Sequence, residues 1–148
     1  MSPRSWIPVS VGGAALGAVI IYLVVAAGGT PQQPVTSIGR HLYAANCAKC
    51  HGANLEGQPD WMNRNENGRL PAPPHDESGH TWHHSDKQLF TITKFGLAAI
   101  APGYGSDMPA FENVLTDEEI RAVWDYIKGT WSDRARAFQR ARSDADPD

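Results

Sequence analysis

The chain has two cysteines in 148 residues, three positions apart, with a histidine directly behind the second: Cys47-Ala48-Lys49-Cys50-His51. No other feature limits the fold as strongly. On a turn of helix, positions i and i+3 share a face, so both thiols reach one flat partner while the next side chain presents an imidazole to it. C-x-x-C-H is the attachment pattern of a c-type haem, with both thiols bonded to vinyl groups and the histidine as proximal iron ligand. Other uses of the pair fail. A redox dithiol needs a βαβ setting that the chain does not suggest. A structural zinc site needs four ligands, and there is no second cysteine pair. A disulfide between cysteines this close clamps almost no loop. The expected cofactor is one covalently attached haem c, with Cys47, Cys50 and His51 holding it.

Length and charge fit that reading. The net charge of -3 gives no electrostatic case for nucleic acid. Between residues 31 and 131, twelve acidic residues face eight Lys/Arg, so a carrier with this surface favours partners with a basic docking patch. Residues 1–29 read as a targeting segment. Arg4 is its only charge, and the 21 residues from Ile7 to Ala27 are dominated by Val, Ile, Leu, Ala and Gly. A run of about 20 apolar residues can cross a bilayer, so a single-pass anchor is expected. Val25-Ala26-Ala27-Gly28 offers a small-residue cleavage site for the alternative, a soluble periplasmic protein. Both readings export the domain, with Arg4 left on the cytoplasmic side.

Residues 30–35 read as a linker, 36–131 as the haem domain and 132–148 as a polar tail. A first helix is predicted over about Thr36 to Asn46, capped by Thr36 or Ser37, with Ile38, Leu42 and Tyr43 as its buried stripe. Gly39 lies inside it. A mid-helix glycine costs roughly 1 kcal/mol against alanine, so close approach of another helix is expected there. Residues 52–79 are rich in Gly, Pro and Asn and predict a long loop packed on the haem, with Trp61, Met62, Leu70 and the following prolines along its edge. Ser85-Asp86-Lys87-Gln88 has capping-box form and opens a second helix, with Leu89, Phe90, Ile92 and Phe95 apolar and Gly96 as its stop. Thr116-Asp117-Glu118-Glu119 opens another, with Ile120, Val123, Trp124 and Ile127 on one stripe. Ser132-Asp133 starts a short amphiphilic helix in the tail, whose last residues read as disordered.

The second axial position has Met62, Met108, His75, His80, His83 and His84 as candidates. Met108 sits in a loop, between Asp107 and Pro109, and the proline stiffens the backbone that presents the thioether. Met108 is therefore the expected ligand, and Met62 packing or surface.

The helix running from Gly39 through Cys47-Ala48-Lys49-Cys50-His51, the Met108-Pro109-Ala110-Phe111 loop and the helix Leu115 to Ile127 resemble, in that order, class I c-type monohaem cytochromes. The resemblance covers about Ile38 to Trp131. It implies an all-α fold of about three to four helices around one haem, with the first and last helices crossing at near right angles. Gly39 and Tyr43 would meet the Trp124/Ile127 face. It also implies axial ligation by His51 and Met108, and a proline carbonyl on the proximal histidine, for which Pro71, Pro73 and Pro74 all qualify. The segment from His75 to His84 lies outside that pattern. Its histidines, His75, His80, His83 and His84, suggest a second metal site for copper or zinc, against a solvated loop with Trp82 near the haem edge.

The function that follows is single-haem electron transfer, not enzyme catalysis. Expected partners are a quinol–cytochrome c oxidoreductase, a dehydrogenase or a terminal oxidase. The alternatives are a cytochrome subunit of a larger membrane complex, and a haem enzyme or sensor with an open distal site.

Overall fold

The helix that organises the domain is the one with the strongest start signal. Thr116 Oγ1 accepts from the Glu119 N–H (3.2 Å) and the Glu119 carboxylate accepts from the Thr116 N–H (2.8 Å), closing the capping box. Asp117, Glu118 and Glu119 complement the helix dipole in the first turn. The helix runs Asp117–Gly129 and buries Ile120, Ala122, Val123, Trp124 and Ile127. In the computed structural model, which describes residues 35–147, it is α4. The others are α1 (Val35–Asn46), the short α2 (Ala48–His51), α3 (Asp86–Phe95) and α5 (Asp133–Asp144), with 3₁₀ turns at Thr81–His83 and Leu97–Ala99. The described residues are all-α, as the resemblance implied. None of their helices is long and apolar enough to cross a membrane, and the expected anchor at 7–27 lies outside the described residues.

α1 packs directly on α4. A Cβ added to Gly39 would stand 1.9 Å from the Ala122 carbonyl oxygen and 2.9 Å from Tyr126 Cβ, so only glycine allows this approach. Gly39 itself meets Ala122 and Tyr126, while Tyr43, one turn on, joins Trp124 and Ile127 in the buried core. Tyr43, 1% exposed, donates its hydroxyl to the Gly52 carbonyl (2.7 Å) and ties α1 to the loop after α2. Two local expectations shift. Thr36 and Ser37 are already helical instead of capping, and Ile38 is 43% exposed, since no described element covers that side of α1.

α3 is capped by Ser85, which accepts from the Gln88 N–H (3.1 Å). Only half of the expected box forms, because the Gln88 side chain accepts from His84 Nδ1–H (3.2 Å) instead. Leu89 and Thr93 are buried, whereas Phe95 is 49% exposed beneath the Lys94 ammonium. Trp124 Nε1–H donates to Thr93 Oγ1 (3.1 Å), and Lys94 pairs with Asp117 (2.6 Å), fastening α3 to α4.

The largest departure is at the end of the chain. The tail helix expected from Ser132-Asp133 forms, and it is docked on the domain instead of solvated. Ser132 caps α5, and Ala135 and Gln139 are buried. Gln139, 2% exposed, donates through Nε2 to Asp86 Oδ1 (2.8 Å) and Ser143 Oγ (3.0 Å). Arg142 donates to the His83 carbonyl (3.2 Å), and Ser85 Oγ donates to Asp146 (2.6 Å). The final described residues are therefore hydrogen-bonded, because α5 supplies partners for the polar start of α3.

Two stability predictions follow from this packing. Gly39→Val places atoms inside the Ala122 backbone and is expected to cost at least about 1–3 kcal/mol; a melting temperature equal to wild type would contradict the crossing. Gln139→Leu keeps the volume but strips partners from buried polar groups, at an expected cost of about 1–3 kcal/mol, read as a lower denaturant midpoint with unchanged slope.

Candidate functional site

A cavity of about 760 Å³ opens between α2, α3, α4 and the loops that join them. That volume falls in the range of sites that enclose a whole organic ligand. Its floor is apolar, with Leu89, Ile92, Val123 and Ile127 contributed by α3 and α4. Cys47, Cys50 and His51 line it from the first helical segment, and Met108 and Pro109 from the loop before α4.

The helix breaks at Cys47 and restarts, with the Cys50 and His51 N–H groups both bonded to the Cys47 carbonyl (3.1 and 2.9 Å). That turn brings two free thiols and an imidazole to one cavity wall. Burial, with Cys50 as a lesser influence, pushes the Cys47 thiol up to about 11, so it stays protonated at neutral pH.

His51 is 7% exposed, and its Nδ1–H donates to the Pro73 carbonyl (2.9 Å). A carbonyl only accepts, so this bond assigns the proton to Nδ1 and leaves Nε2 with a lone pair. Burial lowers the ring's pKa below the ordinary histidine range, and the Pro73 bond opposes that only in part, so the imidazole is neutral near pH 7. Of the three prolines that qualified, the structure selects Pro73.

Pro73 is held in turn. The loop after α2 folds back on itself, with the Gln58 N–H bonded to the Ala72 carbonyl (2.9 Å) and the His75 N–H to the Leu55 carbonyl (2.8 Å). Trp61, Leu70, Pro71, Ala72 and Pro73 line the cavity, as expected of this loop. Met62 does not, and is 72% exposed. Met108 is half-buried against the core, with its N–H donated to Ser106 Oγ (3.1 Å).

Of the four histidines beyond this set, His75, His80 and His84 also line the cavity, and His80 meets His84 edge-on at 5.4 Å. Among the described residues, no three His, Cys, Asp or Glu side chains converge on a point able to hold a metal ion. His75 is buried and stacks on His51, with ring centroids 4.0 Å apart and planes at 21°. With the Thr81 hydroxyl donating to the Pro74 carbonyl (3.3 Å), His75 Nδ1–H donates to Thr81 Oγ1 (2.9 Å). Trp131 Nε1–H donates to the His75 carbonyl (2.7 Å). Burial, then His51 and His80, holds the His75 ring neutral. His80 stacks on Trp61 at 5.5 Å, His83 packs against Trp82 and Phe138, and His84 donates to Gln88. Trp82, expected near the haem edge, instead meets Phe138 of α5 edge-on at 5.3 Å. The role of His75 as a buried flank to His51 was missed, as was Thr81. The proline pair before His75, which fixes the local backbone, is the only sequence signal that pointed there.

Two thiols on one helical turn, a neutral imidazole with a free Nε2, a thioether and an apolar cavity of this size fit a c-type haem. In such a site His51 would be the nitrogen donor and Cys47 and Cys50 would be the points of attachment.

Comparison with known proteins agrees. Residues 34–127 match the family described as cytochrome C oxidase, cbb3-type, subunit III. Over 98 residues, 65% of the chain, it is 26% identical to the cbb3-type cytochrome c oxidase subunit FixP of Sinorhizobium medicae (strain WSM419), and it spans 30% of that protein's length. No solved structure matches the chain. The matched region runs from the start of α1 to Ile127 of α4 and takes in every element that lines the cavity, so the chain belongs to the cbb3-type cytochrome c oxidase subunit III family, a class I c-type cytochrome domain with covalently bound haem.

Proposed function

We propose that this domain is a one-electron carrier with His51 and Met108 as axial ligands, serving as a cytochrome module of a terminal oxidase assembly. The observation that carries this is the His51–Pro73 bond, which frees Nε2 in the same cavity that Met108 lines. Bound there, a haem supplies reversible one-electron chemistry at its iron. The protein's part is positional and electrostatic. Pro73 fixes the tautomer and orientation of His51 and raises its strength as a donor. The Met108 thioether favours the reduced state and raises the potential. Leu89, Ile92, Val123 and Ile127 keep water from the site, which further favours the state of lower charge. With His51 and Met108 both holding the haem iron, no open position would remain for a substrate, so the domain would relay electrons and not turn over a substrate.

The partner reading rests on family membership. The similar protein from Sinorhizobium medicae is named as an oxidase subunit, which favours a terminal oxidase over a quinol–cytochrome c oxidoreductase or a dehydrogenase as partner. The apolar run Ile7 to Ala27 supports tethering at the outer face of the cytoplasmic membrane.

Intact mass is expected to show one haem on the polypeptide, and Cys47→Ser/Cys50→Ser to show none. The ferric protein is expected to carry the weak far-red absorption band of a sulfur–iron bond. Met108→Ala should abolish that band and lower the reduction potential, while Met62→Ala leaves both unchanged. A wild-type protein without the band would favour a sensor or enzyme with an open distal site.

A further inference from the structure

Among the described residues, no backbone–backbone hydrogen bond ties the Met108 loop between Tyr104 and Phe111 to another element. Its fixed points lie at the ends: the Phe111 and Glu112 N–H groups bond to Thr93 and Lys94 carbonyls, and the Tyr104 N–H bonds to Ala101. Side chains must therefore hold the centre of the loop, and they come from a tight turn 38 residues away in sequence.

That turn is built around Asn65. Asn65 Oδ1 accepts from the N–H groups of Asn67 and Arg69 (3.0 Å each), and the Asn65 N–H donates to the Arg69 carbonyl (2.8 Å). The closed turn points two arginines at the loop. Arg69 donates to the Asp107 carboxylate, with its side chain lying along Gly105. Arg64, braced on the Gly68 carbonyl (2.6 Å), places its guanidinium 5.4 Å from the centre of the Tyr104 ring. Asn65, Tyr104 and Asp107 line the cavity beside Met108.

We propose that the turn 64–69 is a latch that keeps the Met108 loop closed, with Arg69–Asp107 as its main contact and Arg64–Tyr104 as its second. Arg69 and Asp107 are positioning residues that act through Met108, and the latch rests on the reading of Met108 as a ligand. An external ligand reaches the iron only when the loop opens, so its apparent affinity scales with the open fraction. The pair is exposed, and contacts of this kind shift such an equilibrium modestly.

The test is a titration of the full ferric protein with imidazole, read by its spectrum together with the far-red band. Arg69→Gln and Asp107→Asn are each expected to raise the apparent imidazole affinity by about two- to fivefold, the range of exposed ion pairs. The swap Arg69→Asp/Asp107→Arg should return it towards wild type, and about 1 M salt should bring wild type towards the variants. In a Met108→Ala background Arg69→Gln should have no effect, because there is no ligand left to hold. Unchanged affinity in variants that keep the far-red band, or an equal effect of Arg69→Gln with and without Met108, overturns the latch. Absence of the band from wild type instead overturns the Met108 reading beneath it.

Discussion

The hydrogen bond from His51 to the Pro73 carbonyl joins two parts of the chain and sets the ring that the His75 stack and the Gly57 N–H to His51 carbonyl bond (2.8 Å) only hold nearby. On one side is a four-residue helix, too short to be stable alone. On the other is a long loop with no regular structure, from Gly52 to His80. The bond sets the imidazole's proton, its orientation and the distance between helix and loop together. The loop can serve as this fixed partner because Leu55 is buried beneath it and receives the His75 N–H on its carbonyl. The site thus depends on backbone geometry in a segment without periodicity.

Around that bond the domain is layered. α1 and α4 cross at Gly39 and form a rigid base. α3 and α4 supply the apolar floor, joined through Trp124 and Thr93. α5 then covers the polar start of α3 and holds the backbone of His83 and His84. The matched family region ends at Ile127, so α5 lies outside it. It gives the histidine-rich segment a structural role. Its backbone carbonyls receive Gln139 and Arg142, and its rings pack on Trp61, Phe138 and His51.

What the sequence made legible were local patterns with a fixed chemical reason. The C-x-x-C-H turn, the Ser85 and Thr116 caps, the glycine at the helix crossing and the Met108 loop needed only neighbours within a few residues. What it hid were choices made at a distance. Nothing local separates Pro73 from Pro71 or Pro74, since all three offer a carbonyl at a similar separation from His51. Helical periodicity put Ile38 and Phe95 on apolar stripes but could not say which parts of a stripe lack a covering element. A polar, charge-balanced tail looks solvated until Gln139 finds Asp86, 53 residues earlier. The histidine cluster looked like a ligand set because sequence proximity does not reveal how the rings pack: His75 on His51, His80 between Trp61 and His84, and His83 on Trp82 and Phe138.

The central claim is that His51 and Met108 share one iron. It is tested most directly by proton NMR of the reduced protein with methyl-labelled methionine. The chain has three methionines, so assignment is simple. The methyl of a methionine whose sulfur binds the iron lies within the porphyrin ring current and resonates far upfield of ordinary methyl signals. The account predicts one such signal, assigned to Met108, with the Met62 methyl at an ordinary position. Three ordinary methionine methyls, or an upfield signal from Met62, would contradict it.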